Sequence, residues 1–276
     1  MQNRLEVDRR LIAIDVGNSH IKIGLFDCNA DVTNPRSLPQ CSQSMATELD
    51  APIPWNDLAQ WTSNGGPHIE SVILGGVNPR GRDKILDGWP ATGWPDPFVI
   101  DNPFILPLKT SIDSPRTVGV DRLLNAIAGN VIRPKANSMV IIDSGTATTV
   151  DVVSGNGTFE GGAILPGFQL SAQALHQYTA FLPHIKNREL AKNPPDIIGK
   201  NTRDALRNGL FWGQFGGIQE LVRRYRKALP DEPMVVVTGG AGRLLVPWMP
   251  RNVIHEPFLT LQGLVIVARH LKHKKQ

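Results

Sequence analysis

An apolar run, Leu11-Ile12-Ala13-Ile14, leads into Asp15-Val16-Gly17-Asn18-Ser19 and then into a second strand-like run from His20 to Phe26. The same order recurs at Val140-Ile141-Ile142, which leads through Asp143-Ser144-Gly145-Thr146-Ala147-Thr148 into a run from Thr149 to Val153. Short apolar runs bounded by Asp and Gly predict buried strands joined by a tight turn. Beyond the first copy, the pattern predicts a polar, Pro-containing stretch from Asn34 to Pro54, a helix at 55–62, a buried strand at 71–75, a helix at 80–88 and a strand at 98–100. A Pro-rich segment from Pro95 to Pro115 follows, and 121–132 then reads as an amphipathic helix with Leu123, Leu124, Ile127 and Val131 on one side. Beyond it, strands are predicted at 139–143, 148–154, 157–164 and 234–238 and near Val253. Helices are predicted at 168–179 and 202–228, after Gly239, and from Leu259 to the end.

Strand-rich starts followed by α/β alternation, twice, predict two related α/β domains, at 1–130 and 131–276, with a cleft between them. The helix at 121–132 is expected to join the halves. In each Asp-x-Gly turn the glycine is expected to take φ > 0 or to let backbone approach a ligand, so that N–H groups point at an anion. Each Asp is expected to sit where a metal or a metal-bound water could be held. An ordinary hairpin has the same local pattern, but its repetition half a chain apart in matching register favours a duplicated phosphate-binding turn.

Composition narrows the classes. The 276 residues, 41% hydrophobic and 20% charged, suffice for one large core or two moderate ones. The formal charge of +4 raises the question of nucleic acid. Its excess lies in Arg223, Arg224, Arg226 and Lys227 and in Arg269, Lys272, Lys274 and Lys275, at predicted helix C-termini where cations complement the dipole. No nucleic-acid partner is therefore expected. With only Cys28 and Cys41 and no His cluster of ligand spacing, neither a disulfide scaffold nor a structural zinc site is expected. Glu6, Asp8, Arg9 and Arg10 precede the first strand without a signal-peptide core, and no apolar run approaches a membrane span, so a soluble, cytoplasmic protein without a membrane partner is expected.

Further along, Gly119-Val120-Asp121-Arg122, Gly161-Gly162-Ala163-Ile164-Leu165-Pro166-Gly167, Asn201-Thr202, Thr238-Gly239-Gly240 and Leu259-Thr260-Leu261-Gln262-Gly263-Leu264 occur in order with the two turns. Together these motifs resemble the type III pantothenate kinases, within the actin/Hsp70/sugar-kinase superfamily of duplicated ribonuclease H-like domains. The resemblance implies ATP-dependent phosphorylation of pantothenate to 4′-phosphopantothenate, the first step of coenzyme A synthesis, by a homodimer. It implies ATP binding by Asp15, Val16, Gly17, Asn18, Ser19, His20, Ile21 and Lys22, and by Thr146, Gly239 and Gly240. For pantothenate it implies Gly119, Val120, Asp121, Arg122 and Thr202, with Asp121 as general base. Asp143 would ligate a monovalent cation, K⁺ or NH₄⁺, while Mg²⁺ travels with ATP.

Plain readings stand beside these roles. Lys22 on its own reads as a solvated strand lysine, Asp121 as a helix cap or dipole partner, and Thr202 before Arg203-Asp204-Ala205 as an N-cap. The helix after Thr202 carries Gly209, Gly213 and Gly217 on one face, which permits close packing against another domain or a second subunit. The six tryptophans are irregularly spaced and read as core or interface anchors. One departure from the family pattern is Ile112-Asp113-Ser114-Pro115, where a Tyr-x-x-Pro is usual, and another is Val120 in place of the common Ala. Loss of the phenol keeps open two alternatives, a nucleotide-binding accessory protein and a kinase for another small alcohol.

Overall fold

The computed structural model describes residues 9–27, 36–62, 68–90, 93–190 and 196–274. Glu6, Asp8, Cys28, Asn34 and Lys275 lie outside the described residues. In chain order the first elements are β1 (Arg9–Val16), β2 (His20–Asp27), β3 (Cys41–Glu48), α1 (Trp55–Gln60), β4 (His68–Gly76), α2 (Pro79–Asp87), β5 (Pro97–Val99) and α3 (Val120–Ile132). Then come β6 (Met139–Ser144), β7 (Ala147–Val153), β8 (Phe159–Pro166), α4 (Phe168–Gln177), α5 (Asn187–Leu190) and α6 (Thr202–Ala228). The chain ends with β9 (Met234–Thr238), α7 (Gly242–Leu245), β10 (Ile254–His255) and α8 (Leu259–His273).

Two compact units form. Unit 1 holds Met1–Leu108, Asp113–Ile132 and Phe258–Gln276; unit 2 holds Lys109–Ile112 and Arg133–Pro257. Unit 1 contains a five-stranded sheet in the order β3-β2-β1-β4-β5, and unit 2 one in the order β8-β7-β6-β9-β10. In both, the first two strand pairs are antiparallel and the remaining two parallel. The topology is therefore the same strand for strand, which is the duplication that the repeated turn implies.

β1 and β6 read as unbroken apolar runs because each is a central strand with a parallel neighbour, buried on both faces. Ile12, Ile14, Ile21, Ile23 and Leu25 pack with Leu58 of α1 and Ile85 of α2, and Trp55, Trp61, Trp89 and Trp94 close over that core. In unit 2, Val140, Ile142, Val150, Val235 and Val237 pack with Phe168 of α4 and Phe211, Phe215 and Ile218 of α6, with Trp212 against them.

Two features differ from the pattern-based reading. β3, Cys-Ser-Gln-Ser-Met-Ala-Thr-Glu, falls in the stretch read as irregular; it is an edge strand whose side chains are mostly exposed or half-buried, so it carries no apolar signal. The final helix, expected with the second half, belongs to unit 1, where α8 packs on α3 and β1. The helix expected as a joint, α3, also lies in unit 1, and the chain passes to unit 2 at its end.

The α3–α8 contact is tight at Gly263, where a β-carbon would lie 2.3 Å from the Leu124 carbonyl oxygen of α3. One turn away, the buried Thr260 hydroxyl donates to Asn125 Oδ1 at 2.8 Å. A Gly263→Ala substitution is expected to force the two helices apart and to cost about 1–3 kcal/mol of stability. A lowered midpoint in denaturant unfolding checks this; an unchanged midpoint would mean the helices do not depend on that approach.

Candidate active site

The first turn joins β1 to β2 in unit 1. The Gly17 amide donates to the His20 carbonyl at 2.9 Å, and the last ladder pair before the loop is Val16 with Ile21. Val16 and Ile21 are buried, so only their backbones can meet a ligand, whereas Asn18 and His20 are exposed. Asp15 and Lys22 are cross-strand partners. Lys22 Nζ lies 3.9 Å from Asp15 Oδ2, which supplies a cation to a carboxylate that is only 5% exposed.

Of the two roles expected of the turn glycines, positive φ is not taken: among the described residues it occurs at Gly76, Gly93, Gly157, Gly161 and Gly239 and at Ala136, not at Gly17 or Gly145. What requires glycine is the adjoining strand end. Gly76 (φ +143) closes β4 opposite Val16, and a β-carbon on it would lie 2.3 Å from the Val16 carbonyl oxygen. That carbonyl accepts from Val77 N at 2.9 Å. Asn78 follows as the N-cap of α2: its Oδ1 accepts from Gly81 N at 3.0 Å and its Nδ2 donates to Asn18 Oδ1 at 3.3 Å.

At the start of α3 the spacing of Gly-x-Asp-Arg has a steric reason. A β-carbon on Gly119 would lie 2.4 Å from Asp121 Oδ1, so a side chain there would displace the carboxylate. Asp121 Oδ1 accepts from Arg122 N at 2.8 Å, which fixes the carboxylate against the helix's first turn. Gly119 and Val120 line a cleft of about 370 Å³ with Gly75, Gly76, Asn78, Asp101 and Arg116. It opens at the carboxyl ends of β1, β4 and β5, where open α/β sheets bind ligands.

The second turn, between β6 and β7 in unit 2, is one residue shorter, its last ladder pair being Ser144 with Thr148. Gly145 N donates to the Ala147 carbonyl at 3.0 Å and Gly167 N to the Thr146 carbonyl at 3.0 Å. Gly167 must lack a side chain, since a β-carbon would lie 2.4 Å from the carbonyl oxygens of Gly145 and Thr146. Gly239 (φ +86) repeats the role of Gly76: its β-carbon would lie 2.4 Å from Asp143 Oδ1 and 2.5 Å from the Ser144 carbonyl oxygen, which accepts from Ala241 N at 2.9 Å. By contrast, nothing lies within 4 Å of a β-carbon built on Gly240. Beneath the turn, the buried Gln214 of α6 donates to Thr148 Oγ1, which lies 3.4 Å from Ser144 Oγ.

Two further residues singled out from the sequence, Thr202 and Ile112, lie in unit 2. Thr202 is the first residue of α6 and is exposed; the cap is Asn201, whose side chain accepts from Asp204 N at 2.9 Å. Thr202 lines a groove of about 700 Å³ between α4 and α6, with Leu170, Leu175, Leu206, Gly209 and Gly213. Nothing lies within 4 Å of a β-carbon on Gly209 or Gly213, so that part of the glycine face borders open space. Ile112 lies in unit 2, where its Cγ2 would meet a β-carbon on Gly161 at 3.4 Å. The basic end of α6 is compensated: Glu220 bonds Arg223 and Arg224, which hold its carboxyl well below the usual range, and Arg226 pairs with Glu232 at 2.7 Å.

Gly76, Asn78 and Gln214 were not singled out among the sequence candidates. Gly-Gly-Val-Asn-Pro after a buried strand does carry the signal of a strand end, a capping Asn and a Pro at the first helical position. Gln214 shows itself as a polar residue among Phe211, Phe215 and Ile218 on an apolar helix face. Among the described residues no three His, Cys, Asp or Glu side chains group as a metal cage, and no helix is long and apolar enough to cross a membrane.

A family model described as type III pantothenate kinase matches residues 11–224. A type III pantothenate kinase of Dehalococcoides mccartyi is 35% identical over 261 residues, covering 95% of this chain and 98% of that one. One from Pelobacter propionicus is 35% identical over 267 residues, covering 93% and 98%, and one from Caulobacter vibrioides 34% over 261 residues, covering 94% and 97%. Among solved structures, the activator of the 2-hydroxyisocaproyl-CoA dehydratase from Clostridium difficile, with bound ADPNP, is similar with a TM-score of 0.54 over 96% of this chain and 97% of that one. At 14% identity that likeness speaks for the fold alone, which with the repeated sheet order is a duplicated ribonuclease H-like fold. Matched over most of its length by the family model and over nearly all of it by these relatives, the chain belongs to the type III pantothenate kinase family.

Proposed function

We propose that this protein transfers the γ-phosphoryl group of ATP to the primary hydroxyl of pantothenate, giving 4′-phosphopantothenate and ADP in coenzyme A synthesis. The observation that carries the reading, beside family membership, is the start of α3. A carboxylate is held there against the helix by Arg122 N, and its neighbours Gly119 and Val120 line a cleft at the carboxyl ends of parallel strands. In this reading the cleft takes the acceptor, and Asp121 orients the hydroxyl and receives its proton as the new O–P bond forms and the bond to ADP breaks. Phosphoryl transfer needs little covalent chemistry from the protein, so the other residues position charge.

In unit 1, the backbone of residues 16–21 with Asn18 and Lys22 binds phosphate. In unit 2, the Thr146 turn does so, while Gly239 and Gly240 leave the β9 end bare for the nucleoside. Mg²⁺ bound to ATP would neutralise developing phosphate charge. Asp15, whose buried carboxylate is paired with Lys22, is assigned to act on that ion through water. Asp143, beside the Ser144 carbonyl, is assigned a monovalent cation, because hard oxygen donors suit K⁺ or NH₄⁺. A second copy of the chain is assigned to the α4–α6 groove: Leu170 and Leu175 are exposed there, and a contiguous apolar groove marks an interaction surface.

With pantothenate, ATP, Mg²⁺ and K⁺, the purified protein is expected to yield 4′-phosphopantothenate by mass spectrometry, and to slow when Na⁺ replaces K⁺. Asp121→Asn should lower turnover about 100- to 10,000-fold without loss of ATP binding. Turnover only with another alcohol in an acceptor panel would reassign the substrate, as Ile112 makes worth testing, and no turnover with any acceptor would leave the accessory-protein reading. Gly239→Ala should cost about 1–3 kcal/mol of stability through strained φ and the Asp143 contact. Gly240→Ala should change stability by less than about 0.5 kcal/mol yet raise the KM for ATP several-fold. If it leaves the KM unchanged, Gly240 does not border the nucleotide. Light scattering should give a dimer that Leu175→Asp converts to monomer; a monomeric unaltered protein would reject the groove as the interface.

A further inference from the structure

The side-chain amide of Asn78 faces two ways. Its Oδ1 accepts from Gly81 N, a backbone donor whose identity is fixed, at 3.0 Å. That bond sets the orientation of the Asn78 amide, so the group it presents to Asn18 is its NH₂, a donor. The Asn18 atom facing it at 3.3 Å must then be the carbonyl oxygen, and the Asn18 NH₂ points away from Asn78. We propose that Asn78 is a positioning residue for phosphoryl transfer, holding the Asn18 amide so that it offers N–H donors, rather than a carbonyl oxygen, to the phosphates of a bound nucleotide.

Left to rotate, the exposed Asn18 side chain would present oxygen and nitrogen with similar ease, and oxygen repels phosphate. Asn78 is itself well anchored. The preceding residue donates from Val77 N to the Val16 carbonyl at 2.9 Å, and α2 is seated so closely that a β-carbon on Gly81 would lie 2.6 Å from Val16 Cγ1. The duplicated half supplies a comparison. There the segment after the strand-end glycine is Gly240-Ala241-Gly242, and the helix cap Ala241 has no polar side chain to offer its turn. The orienting amide is thus an addition of the first copy, whose longer loop carries Asn18.

The inference rests on the reading of the first turn as a phosphate site, and the test separates the two. Asn78→Ser retains a capping hydroxyl but has no amide to reach Asn18. It is expected to melt as the unaltered protein does while raising the KM for ATP about three- to tenfold. Asn78→Asp also caps, and serves if the serine variant folds poorly. Its carboxylate would draw the Asn18 NH₂ inward and raise the KM for ATP at least as much. In an Asn18→Ala background either substitution at Asn78 should add nothing to the KM for ATP. An unchanged KM for ATP in both Asn78 variants, or an effect that persists fully in the Asn18→Ala background, overturns the positioning role. If Asn18→Ala alone leaves ATP kinetics unchanged, the phosphate assignment of the first turn falls instead.

Discussion

Both candidate phosphate turns depend on one steric constraint, the close approach of a parallel neighbour at the strand end before the turn. In unit 1, Gly76 of β4 lies opposite Val16 of β1, and in unit 2, Gly239 directly follows β9 and sits against Ser144 of β6. Each glycine has positive φ, and each would drive a β-carbon to within 2.3–2.5 Å of the facing carbonyl oxygen. A larger residue would have to part the two strands or tilt the peptide that opens the turn, and a buried parallel pair has no slack for either. The bare strand end is also what brings the following N–H group to that carbonyl, from Val77 in one unit and Ala241 in the other. Conformational freedom is thus needed one strand away from the residues that make the motif visible.

The constraint explains how two copies with the same topology can diverge. With the strand ends fixed, the loop above is free to vary. The first copy has one more residue in its turn, carries Asn18, and is met from the side by Asn78, the cap of α2, whose first helical residue is Pro79. The second has a shorter turn backed by Gly167 and, below it, a hydrogen-bonded series from Gln214 through Thr148 to Ser144. Buried polar side chains of that kind rigidify only when each is partnered, and here α6 supplies the partner that the sheet cannot. Support comes from beside the turn in unit 1 and from beneath it in unit 2.

The central strands and the long helices were legible because burial writes period and length directly into sequence: β1 and β6 as continuous apolar runs, α6 as 27 residues of helix. Gly-x-Asp-Arg was legible as a motif, but the reason for its glycine, clearance for Asp121 Oδ1, is a three-dimensional fact. β3 was hidden because an edge strand with one partner can be polar. Positive φ, one of the two roles expected at the turn glycines, falls instead on the neighbouring strand end, because Asp-x-Gly is a local signal and the requirement for positive φ is imposed by the adjacent strand. Asn201 rather than Thr202 caps α6, a choice between adjacent capping residues that sequence cannot make.

The return of α8 to unit 1 was illegible for a related reason: an amphipathic terminal helix records that it is covered, not by what. Its motif residues show what covers it. Gly263 admits the Leu124 carbonyl, the Thr260 hydroxyl donates to Asn125, and Leu264 fills the space over Gly75, where a β-carbon would lie 2.8 Å from its Cδ2. Leu124 and Asn125 lie within four residues of Asp121 on the same helix. The placement of the proposed base is therefore tied to the last segment of the chain, although its motif stands near the middle. Unit 1 cannot complete its core until that segment arrives, so the geometry of Gly119, Asp121 and Arg122 is a property of the whole chain and not of the half in which its sequence lies.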